Sequence, residues 1–345
     1  MSIDLPISKS IANRLLILQA LDDKPLMDVS DPNIPQDVKV LHDALTDIAA
    51  GKQRLDLGEC GTAMRFLTAY CARKEGCNVR LDGTPRMRKR PIEKLVRALI
   101  ACGADIWYEG EMGFVPLRIH GRNLVEPLSG KEFQPTPRIA IDSPDSSQFV
   151  SALLLVGLKA ETNLNSPYIR MTRTVIERWR SGQQITMERD WSSAAFWYEY
   201  VAIHGGELRL NGLTEDTVQG DKELIRLFRP FGVTTRFDAD GAVIARTQRC
   251  SHLPRIVNFR DFPDIYPAYA MTCKKLHIPL LALGTDSLRL KESDRLKSVK
   301  ERQSYGDHRV AMALLAADLP CDDTQCIAKS YPAFLENLQR IHDAR

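Results

Sequence analysis

The chain has 345 residues, 44% of them hydrophobic, and carries 47 Lys and Arg against 44 Asp and Glu, a formal net charge of +3. This length is enough for two ordinary domains, each with its own core. The near-neutral charge, with no basic run longer than residues 86–90, argues against a nucleic-acid-binding face. No apolar stretch reaches membrane-spanning length, and a polar functional-looking segment begins almost at the first residue. We therefore expect a cytoplasmic protein without a membrane partner or a targeting peptide.

The first predicted helix has a polar start. Ser8, Lys9 and Ser10, followed by Arg14, set two hydroxyls, an ammonium and a guanidinium on its first turns. Helix N-termini expose free N–H groups and a partial positive charge, so such a segment can bind a small anion. An ordinary N-cap explains the serines equally well.

A second predicted helix starts at Gly61 and Thr62, with Arg65 one turn later. The segment at residues 85–91 then places four cations between two prolines. Prolines stiffen a segment, and fixed arginines can hold a carboxylate or phosphate through two hydrogen bonds. The alternative interpretation is a solvated basic loop.

One structural unit recurs along the chain. Residues 95–120 run as helix, Gly103, strand, turn and strand, and residues 224–246 repeat this order around Gly232. A glycine after a helix favours a left-handed cap, and alternating apolar residues then favour a hairpin. The recurring unit is therefore a helix plus a hairpin.

Six segments begin with a small or polar residue and continue as an apolar helix, which indicates six repeated units. They begin at Ser8, Gly61, Ser146, Ser192, Asp264 and Asp307. The sequence thus predicts an α/β (α+β) protein of two domains, each of three helix-plus-hairpin units. Several such N-termini converging on one cleft would attract anions.

Acids stand beside bases in two C-terminal segments, residues 290–295 and 305–309. This arrangement shifts proton affinities and suits acid and base chemistry, although surface ion pairs have the same pattern. The glycine motifs of nucleotide and dinucleotide sites, H-E-x-x-H and G-x-S-x-G are all absent. Nucleotide phosphoryl transfer, redox chemistry, zinc proteolysis and serine hydrolysis therefore lose support.

The eight cysteines are scattered, with no C-x-x-C pair. This spacing predicts reduced and mostly buried thiols, with neither a disulfide framework nor a zinc site. The cysteines are Cys60, Cys71, Cys77, Cys102, Cys250, Cys273, Cys321 and Cys326.

Taken in order, ten segments resemble the enolpyruvyl transferase family, and within it the branch that acts on shikimate 3-phosphate. The segments are PISKSIANR, GECGTAMRF, LDGTPRMRKRPI, DSPDSSQF, SPYIRMT, RDWSSAAF, FPDIYPAYAM, LRLKESDRL, YGDHRVAMA and CIAKSYPAF. The resemblance implies that family's inside-out α/β barrel fold, with one domain at residues 6–187 and the other at 1–5 plus 188–345. It also implies an active site in the cleft between them.

The implied reaction transfers the enolpyruvyl group of phosphoenolpyruvate to the 5-hydroxyl of shikimate 3-phosphate and releases phosphate. The resemblance implies Asp264 as the base that takes the hydroxyl proton, and Glu292 with Lys9 as proton donors and acceptors. It implies no metal and no organic cofactor. The expected partners are the two small-molecule substrates, and the expected oligomeric state is a monomer.

The resemblance also assigns binding residues. Those implied to contact shikimate 3-phosphate are Lys9, Ser10, Arg14, Ser146, Ser147, Gln148, Tyr168, Asp264, Ser287 and Lys291. Those implied to surround phosphoenolpyruvate are Lys9, Gly61, Thr62, Arg90, Gln148, Arg295, His308, Arg309 and Lys329, with Asp37 and Asp190 nearby. Two phosphates and two carboxylates need many fixed cations if they are to sit together without repulsion.

The sequence departs from the family pattern in side chains and in length. The unusual side chains are Ile7, Glu59, Phe66 and Ser287, which stand where Gly, Asn, Pro and Asn are common. Residues 170–188 and the nine residues between Arg295 and Tyr305 are short for a repeat. Either the protein is shortened there or flexible segments are absent from the chain. We expect the second, because losing core strands would leave unpaired edges and an open core.

Two other functions compete with this interpretation. A non-catalytic homologue would bind anionic metabolites, but it has little need for Lys9, Asp264 and Glu292 together. A related transferase would act on a UDP-sugar, but the segments GTPRMRKRPI and KESDR fit the shikimate branch better.

Overall fold

The computed structural model describes residues 1–124, 139–141, 147–247 and 255–344, and the chain divides into two compact units. The N-terminal unit comprises Ser10–Val29 and Asp37–Ile185. The C-terminal unit comprises Met1–Lys9, Ser30–Gln36 and Thr186–Arg345. Among the described residues, no helix is both long enough and apolar enough to cross a membrane.

Helices and strands alternate along the chain. The helices are α1 (Lys9–Leu21), α2 (Gln36–Ala49), α3 (Gly61–Arg73), α4 (Glu93–Ala101), α5 (Ser147–Leu155), α6 (Pro167–Arg180), α7 (Trp191–His204), α8 (Leu224–Phe228), α9 (Tyr266–Lys275), α10 (Arg295–Glu301), α11 (His308–Ala316) and α12 (Phe334–Asp343). The strands are β1 (Ser2–Asp4), β2 (Arg54–Asp56), β3 (Asn78–Asp82), β4 (Asp105–Tyr108), β5 (Leu117–His120), β6 (Ile139–Ala140), β7 (Ala160–Glu161), β8 (Glu207–Asn211), β9 (Val233–Asp238), β10 (Gly241–Arg246), β11 (Ile256–Asn258) and β12 (Leu281–Leu283).

Each unit contains a four-stranded sheet, and the two sheets have the same topology. The N-terminal unit has the order β2-β3-β5-β4, and the C-terminal unit has β1-β8-β10-β9. In both, the first pair is parallel and the remaining pairs are antiparallel. The predicted hairpins are β4–β5 and β9–β10, and Gly232 caps the turn before β9 with φ 90°. The repeated helix-plus-hairpin unit is therefore present once in the described part of each unit.

The other sheets have only two parallel strands within the described residues, β6–β7 and β11–β12. On β11 and β12, Ile256 is 60% exposed and Leu281 is 56% exposed. After α6 the chain continues to Arg189, which forms an isolated β-bridge with Ile7. After α10 it continues through Arg302, which caps the helix in the left-handed conformation. Short sheets with exposed apolar side chains are what loss of strands leaves behind. The expectation that flexible segments are absent from the chain at these places stays a prediction.

The core of each unit is built around helices that are apolar on most of their surface. In the C-terminal unit α7, α9 and α11 pack against one another, and nearly every residue of α7 is buried. In the N-terminal unit α3 packs on α5, and α5 packs on α6. A helix that is hydrophobic all round is stable only when it is enclosed. The inner helices are accordingly enclosed by sheets and outer helices, as the predicted fold class requires.

Five of the six predicted helix starts are confirmed to within two residues, by α1, α3, α7, α9 and α11. Two starts are explained by side-chain caps. Asp190 accepts a hydrogen bond from the Ser192 N–H at 2.9 Å, and Asp307 accepts one from the Arg309 N–H at 3.0 Å. The predicted start at Ser146 lies outside the described residues, and α5 begins at the next residue.

Residues 6–9 belong to the C-terminal unit, although the predicted boundary placed them with residues 10–187. Their backbone is paired with the segment before α7. The Ser8 N–H donates to the Glu188 carbonyl at 2.8 Å, and the Asp190 N–H donates to the Pro6 carbonyl at 3.0 Å. Lys9 therefore shares a unit with Asp264 and Glu292.

Candidate active site

In the N-terminal unit, Arg14 is fully buried, and its partners among the described residues are neutral acceptors. Its Nε donates to Thr172 Oγ1 at 2.8 Å and its Nη1 to the Ser10 carbonyl at 2.7 Å. Its Nη2 donates to Gln148 Oε1 at 3.3 Å and to the Tyr168 carbonyl at 3.2 Å. Burial lowers the pKa of Arg14 to about 10, so the group still carries its charge at neutral pH. Arg14 thus positions three of the predicted binding residues and adds a buried positive charge beside them.

A second cationic group of the N-terminal unit surrounds Gly61 at the start of α3. A Cβ atom at Gly61 would lie 2.6 Å from Arg90 Nη1 and 2.7 Å from Arg65 Nη1. The Arg65 guanidinium donates to the Gly61 carbonyl at 2.7 Å and lies over the Phe149 ring. Only glycine allows two guanidinium groups to approach the backbone this closely. Like charges held together at a helix N-terminus form a site for an anion.

The sequence pattern places Arg65 one turn after Gly61 but assigns it no role. The signal was its i+4 spacing from Gly61, which places its guanidinium against the carbonyl at the start of the same helix. Arg88, by contrast, is taken up by a structural pair, because it donates to both carboxylate oxygens of Asp82, at 2.9 and 2.6 Å. The basic segment therefore contains both structural and candidate binding arginines.

The remaining candidates of this unit lie at helix ends. Thr62 follows Gly61 in α3, Ser147 begins α5, and Tyr168 is the second residue of α6. Ser166 is the N-cap of α6, since its hydroxyl accepts from the Tyr168 N–H at 3.3 Å. The buried Asp37 lies in the first turn of α2. Ser146 lies outside the described residues.

In the C-terminal unit, Arg295 joins three carboxylates. Its side chain is 1% exposed; Nη1 lies 2.7 Å from Asp264 Oδ1, Nη2 lies 3.2 Å from Glu292 Oε2, and Nε lies 2.8 Å from Asp307 Oδ2. Burial works against its charge, but the nearby carboxylates raise the pKa of Arg295. A planar guanidinium can hold several carboxylates in fixed directions, which a lysine cannot do. Arg295 therefore sets the geometry of both predicted catalytic carboxylates.

Asp264 contacts two further cations. Arg309 Nη2 lies 3.0 Å from Asp264 Oδ2, and Lys291 Nζ lies 3.7 Å from Oδ1. Burial alone would raise the pKa of Asp264, but the surrounding cations outweigh it and hold the pKa well below its usual range. The carboxylate is therefore ionised. The Oε1 atom of Glu292 lies 3.4 Å from Lys329 Nζ.

Lys9 and His308 lie close enough to influence each other electrostatically. Burial, and after it the charge of Lys9, keep the pKa of His308 well below its usual value, so the imidazole is neutral. Neither ring nitrogen of His308 has a hydrogen-bond partner among the described residues. The same lysine and Arg309 counteract the burial that raises the pKa of Asp190. The structure thus brings Lys9 and His308 together with the Arg295 group.

Asp221 is a neighbour that the sequence did not predict. It is buried, accepts a hydrogen bond from the Ser192 hydroxyl, and interacts electrostatically with Asp264. Burial, and then Asp264, raise the pKa of Asp221 to about 7. No local signal marks it, because it lies in a short 3₁₀ turn at 220–223 between other polar residues. Ser287 lies in another 3₁₀ turn, at 286–290, and is half-buried.

Glu292, Asp307 and His308 offer three ligand atoms within 4.8 Å of one another. A metal ion there would have to displace Arg295 from two carboxylates and Lys329 from one. Because these cations already neutralise the acids, we assign no metal to this group. Its chemistry is that of fixed charges and exchangeable protons.

Known proteins resemble this chain over nearly its whole length. The family model of EPSP synthase (3-phosphoshikimate 1-carboxyvinyltransferase) matches residues 2–181 and 177–302. The 3-phosphoshikimate 1-carboxyvinyltransferase of Bacteroides fragilis is 33% identical over 98% of this chain and 94% of its own length. The 3-phosphoshikimate 1-carboxyvinyltransferase of Syntrophobacter fumaroxidans is 26% identical over 98% of this chain and 96% of its own length.

The Bacteroides alignment runs over 407 positions, more than the 345 residues of this chain, so the relative contains segments that this chain lacks. This agrees with the shortened sheets. The structure of EPSP synthase from Acinetobacter baumannii has a TM-score of 0.66 at 20% identity and covers 99% of this chain and 95% of that one. The predicted mixed α/β fold is thereby confirmed. The extent of the family match shows that this chain belongs to the EPSP synthase family.

Proposed function

We propose that the chain transfers the enolpyruvyl group of phosphoenolpyruvate to the 5-hydroxyl of shikimate 3-phosphate and releases inorganic phosphate. The observation that carries this proposal is Asp264, whose side chain is 15% exposed and is held by Arg295 at 2.7 Å and by Arg309 at 3.0 Å. A binding protein needs the cations alone. A carboxylate fixed among them is the arrangement needed to take a proton from a bound hydroxyl.

Asp264 acts as the base in this proposal. The surrounding cations make it a weak base in the absence of substrate, because they hold its pKa low. When substrate phosphate and carboxylate groups bind to Arg309 and Lys291, their negative charges offset the positive charges that hold the pKa of Asp264 low. The proton affinity of Asp264 then rises, so that it can accept the hydroxyl proton as the carbon–oxygen bond forms.

Glu292 and Lys9 deliver and remove protons at the enol group in this proposal. Glu292 is placed by Arg295 at 3.2 Å and Lys329 at 3.4 Å, and it is only 11% exposed. The neutral His308 can donate or accept a hydrogen bond without adding charge. Protonation of the methylene carbon makes the adjacent carbon electrophilic, and phosphate leaves after the hydroxyl oxygen has added.

We propose that the remaining candidates bind the substrate anions. Arg14 holds Ser10, Gln148 and Tyr168 beside its buried charge. In this proposal these three residues are neutral hydrogen-bond donors to shikimate 3-phosphate. The start of α3 at Gly61 offers helix N–H groups, together with the guanidinium groups of Arg65 and Arg90, to phosphoenolpyruvate. Further ligands in this proposal are Ser146, Ser147, Ser287 and Lys291 for the sugar phosphate, and Thr62, Arg90, Arg295, His308, Arg309 and Lys329 for phosphoenolpyruvate.

We also propose a cytoplasmic monomer that acts only on small molecules. Light scattering during size-exclusion chromatography would test the oligomeric state. A mass near 38.9 kDa is the expected result.

Phosphate release from phosphoenolpyruvate tests the activity, measured with and without shikimate 3-phosphate. We expect release only when both substrates are present. Asp264→Asn keeps the volume of the side chain and removes the base, so turnover should fall by about 10²- to 10⁴-fold. The matched control is Asp238→Asn, which removes an exposed carboxylate of the same unit that pairs with Arg209. That variant should retain turnover, because exposed ion pairs contribute little.

The alternatives give different results in the same assay. Calorimetric binding of both substrates without phosphate release would establish a non-catalytic homologue. Release with a UDP-sugar in place of shikimate 3-phosphate would establish the related transferase. An undiminished rate in Asp264→Asn would contradict the assignment of the base.

A further inference from the structure

A carboxylate at the end of β3 holds the basic segment at residues 85–91. Asp82 is the last residue of β3, and its side chain is 10% exposed. Arg88 lies in the 3₁₀ turn Met87–Lys89 and donates from Nε to Asp82 Oδ1 at 2.9 Å and from Nη2 to Oδ2 at 2.6 Å. Two hydrogen bonds to one carboxylate fix a guanidinium in direction as well as in distance. The Arg88 side chain therefore ties this turn to the sheet.

The sheet also anchors Asp82 from its other side. Arg80 Nη1 lies 2.8 Å from Asp82 Oδ2, and Arg80 Nε lies 2.6 Å from Glu109 Oε2. Glu109 Oε1 lies 3.0 Å from Nε of Arg118, on β5. Burial works against the charge of Asp82, but its hydrogen bonds, first among them those from Arg88, outweigh burial and lower the pKa of Asp82. Arg88 is therefore held by an ionised carboxylate that two strands keep in place.

Backbone contacts place the same segment beside the turn that precedes α3. The Thr84 N–H donates to the Gly58 carbonyl at 3.2 Å, and the Arg88 N–H donates to the Thr84 carbonyl at 3.1 Å. A Cβ atom at Gly83 would lie 2.5 Å from the Gly58 carbonyl oxygen. Gly58 stands three residues before Gly61, so the start of the basic segment is packed against the approach to the α3 N-terminus.

Arg90 leaves the 3₁₀ turn at the residue that follows it. Its N–H donates to the carbonyl of Met87, which is 2% exposed, at 3.0 Å. Its guanidinium reaches the start of α3, where a Cβ atom at Gly61 would lie 2.6 Å from Arg90 Nη1. A binding group that is already held in its bound direction raises affinity, because less ordering remains to be done when the ligand arrives. The direction of Arg90 depends on the turn that Arg88 secures.

We propose that Asp82 and Arg88 are a positioning pair for anion binding, whose contact holds the 3₁₀ turn so that Arg90 faces the start of α3. The ligand is a phosphate or carboxylate group. This inference rests on the proposed function, in which Arg90 and Gly61 bind phosphoenolpyruvate. The pair acts through Arg90 and does not itself touch the anion, so its loss weakens the binding of phosphoenolpyruvate and leaves the proton transfers unchanged.

Charge and position predict opposite results for Asp82→Asn. This variant removes a negative charge close to an anion site, so the electric field alone would tighten the binding of phosphoenolpyruvate. Loss of the contact that holds Arg88 would weaken it. We expect steady-state phosphate release to show a KM for phosphoenolpyruvate raised by about 10-fold. The KM for shikimate 3-phosphate and kcat should stay within about 2-fold, which also shows that the variant folds.

Variants of Arg88 test the other half of the pair. Arg88→Met should raise the KM for phosphoenolpyruvate by about 10-fold as well, and Arg88→Lys, which keeps the charge and one contact, should recover part of the loss. The double variant Asp82→Asn/Arg88→Met should be no worse than either single one, because all three remove the same contact. The Arg88 side chain is 49% exposed, so these variants decide the matter even where Asp82→Asn fails to fold.

Arg97→Met is the matched control. It makes the same substitution in the same unit and breaks another ion pair, since Arg97 Nη1 lies 3.4 Å from Glu93 Oε1 within α4. The Arg97 side chain is 77% exposed. Its replacement should change the KM for phosphoenolpyruvate by less than about 2-fold, because exposed ion pairs contribute little.

Several results would overturn the positioning role while the proposed function stands. They are an active wild type with an unchanged or lowered KM for phosphoenolpyruvate in Asp82→Asn, an Arg88→Met variant no different from Arg97→Met, and a loss confined to kcat. If the wild type releases no phosphate, the proposed function fails, and calorimetric titration with phosphoenolpyruvate then compares the same variants. Weaker binding in Arg88→Met than in Arg97→Met would still support the positioning pair, and equal binding or none in the wild type would overturn it.

Discussion

Replacing Glu199 with methionine is expected to stabilise the C-terminal unit at neutral pH. Glu199 is fully buried in α7, and neither of its carboxylate oxygens has a hydrogen-bond partner among the described residues. Burial raises the pKa of Glu199 well above its usual value, so the folded protein holds it as a neutral acid. Methionine has a similar length and no ionisable group.

The magnitude follows from proton linkage. In the unfolded chain a glutamate ionises above about pH 4.3, so folding at higher pH requires the uptake of a proton. Because the folded pKa is raised, the contribution to stability is complete below about pH 4.3 and is lost as pH rises towards the folded pKa. The loss is about 1.4 kcal/mol for each pH unit between the unfolded pKa and the folded pKa. Glu199→Met removes this loss.

Urea unfolding of the wild type and the variant at several pH values between 5 and 8 measures the effect. The difference in the free energy of unfolding between them should grow with pH, by about 1.4 kcal/mol per unit at pH values below the folded pKa of Glu199. Glu207→Met is the control, because it makes the same substitution at an exposed position, at the start of β8. A pH-independent difference for Glu199→Met would refute the reasoning, as would a loss of stability at pH 8.

Three further outcomes follow from the site. Gly61→Ala places a methyl group 2.6 Å from Arg90 Nη1, so steady-state kinetics should show a raised KM for phosphoenolpyruvate, whereas an unchanged KM would contradict the close approach. Arg295→Lys can keep only one of three carboxylate contacts and should lower the free energy of unfolding by about 3–5 kcal/mol in urea titrations; a loss below about 1 kcal/mol would contradict its role. Asp221 has its pKa raised to about 7, so its contribution to stability is present below about pH 4 and is lost as pH rises to about 7. Asp221→Asn should therefore gain up to about 4 kcal/mol over the wild type at pH 8 but not at pH 4, and an equal effect at both would contradict the assignment.

The sequence by itself determined the helix starts, the hairpins and the chemical type of the site. These features depend on neighbours in the chain: Asp190 and Asp307 cap the helices that follow them, and Gly232 ends a helical turn before its hairpin. Such interactions span only a few residues, so they leave a local pattern. The order of the motifs also indicated the family.

Only the tertiary structure decided which charges meet. Asp264 and Arg295 are 31 residues apart, yet their side chains lie 2.7 Å from each other. Asp221 and Glu199 resemble ordinary polar residues in the sequence. Burial raises the pKa of Glu199, and burial is the largest cause of the raised pKa of Asp221. The unit to which Lys9 belongs was likewise settled by backbone pairing with residues 188–190. Burial and ion-pair geometry depend on segments that are distant in the chain, and no local pattern records which of them come together.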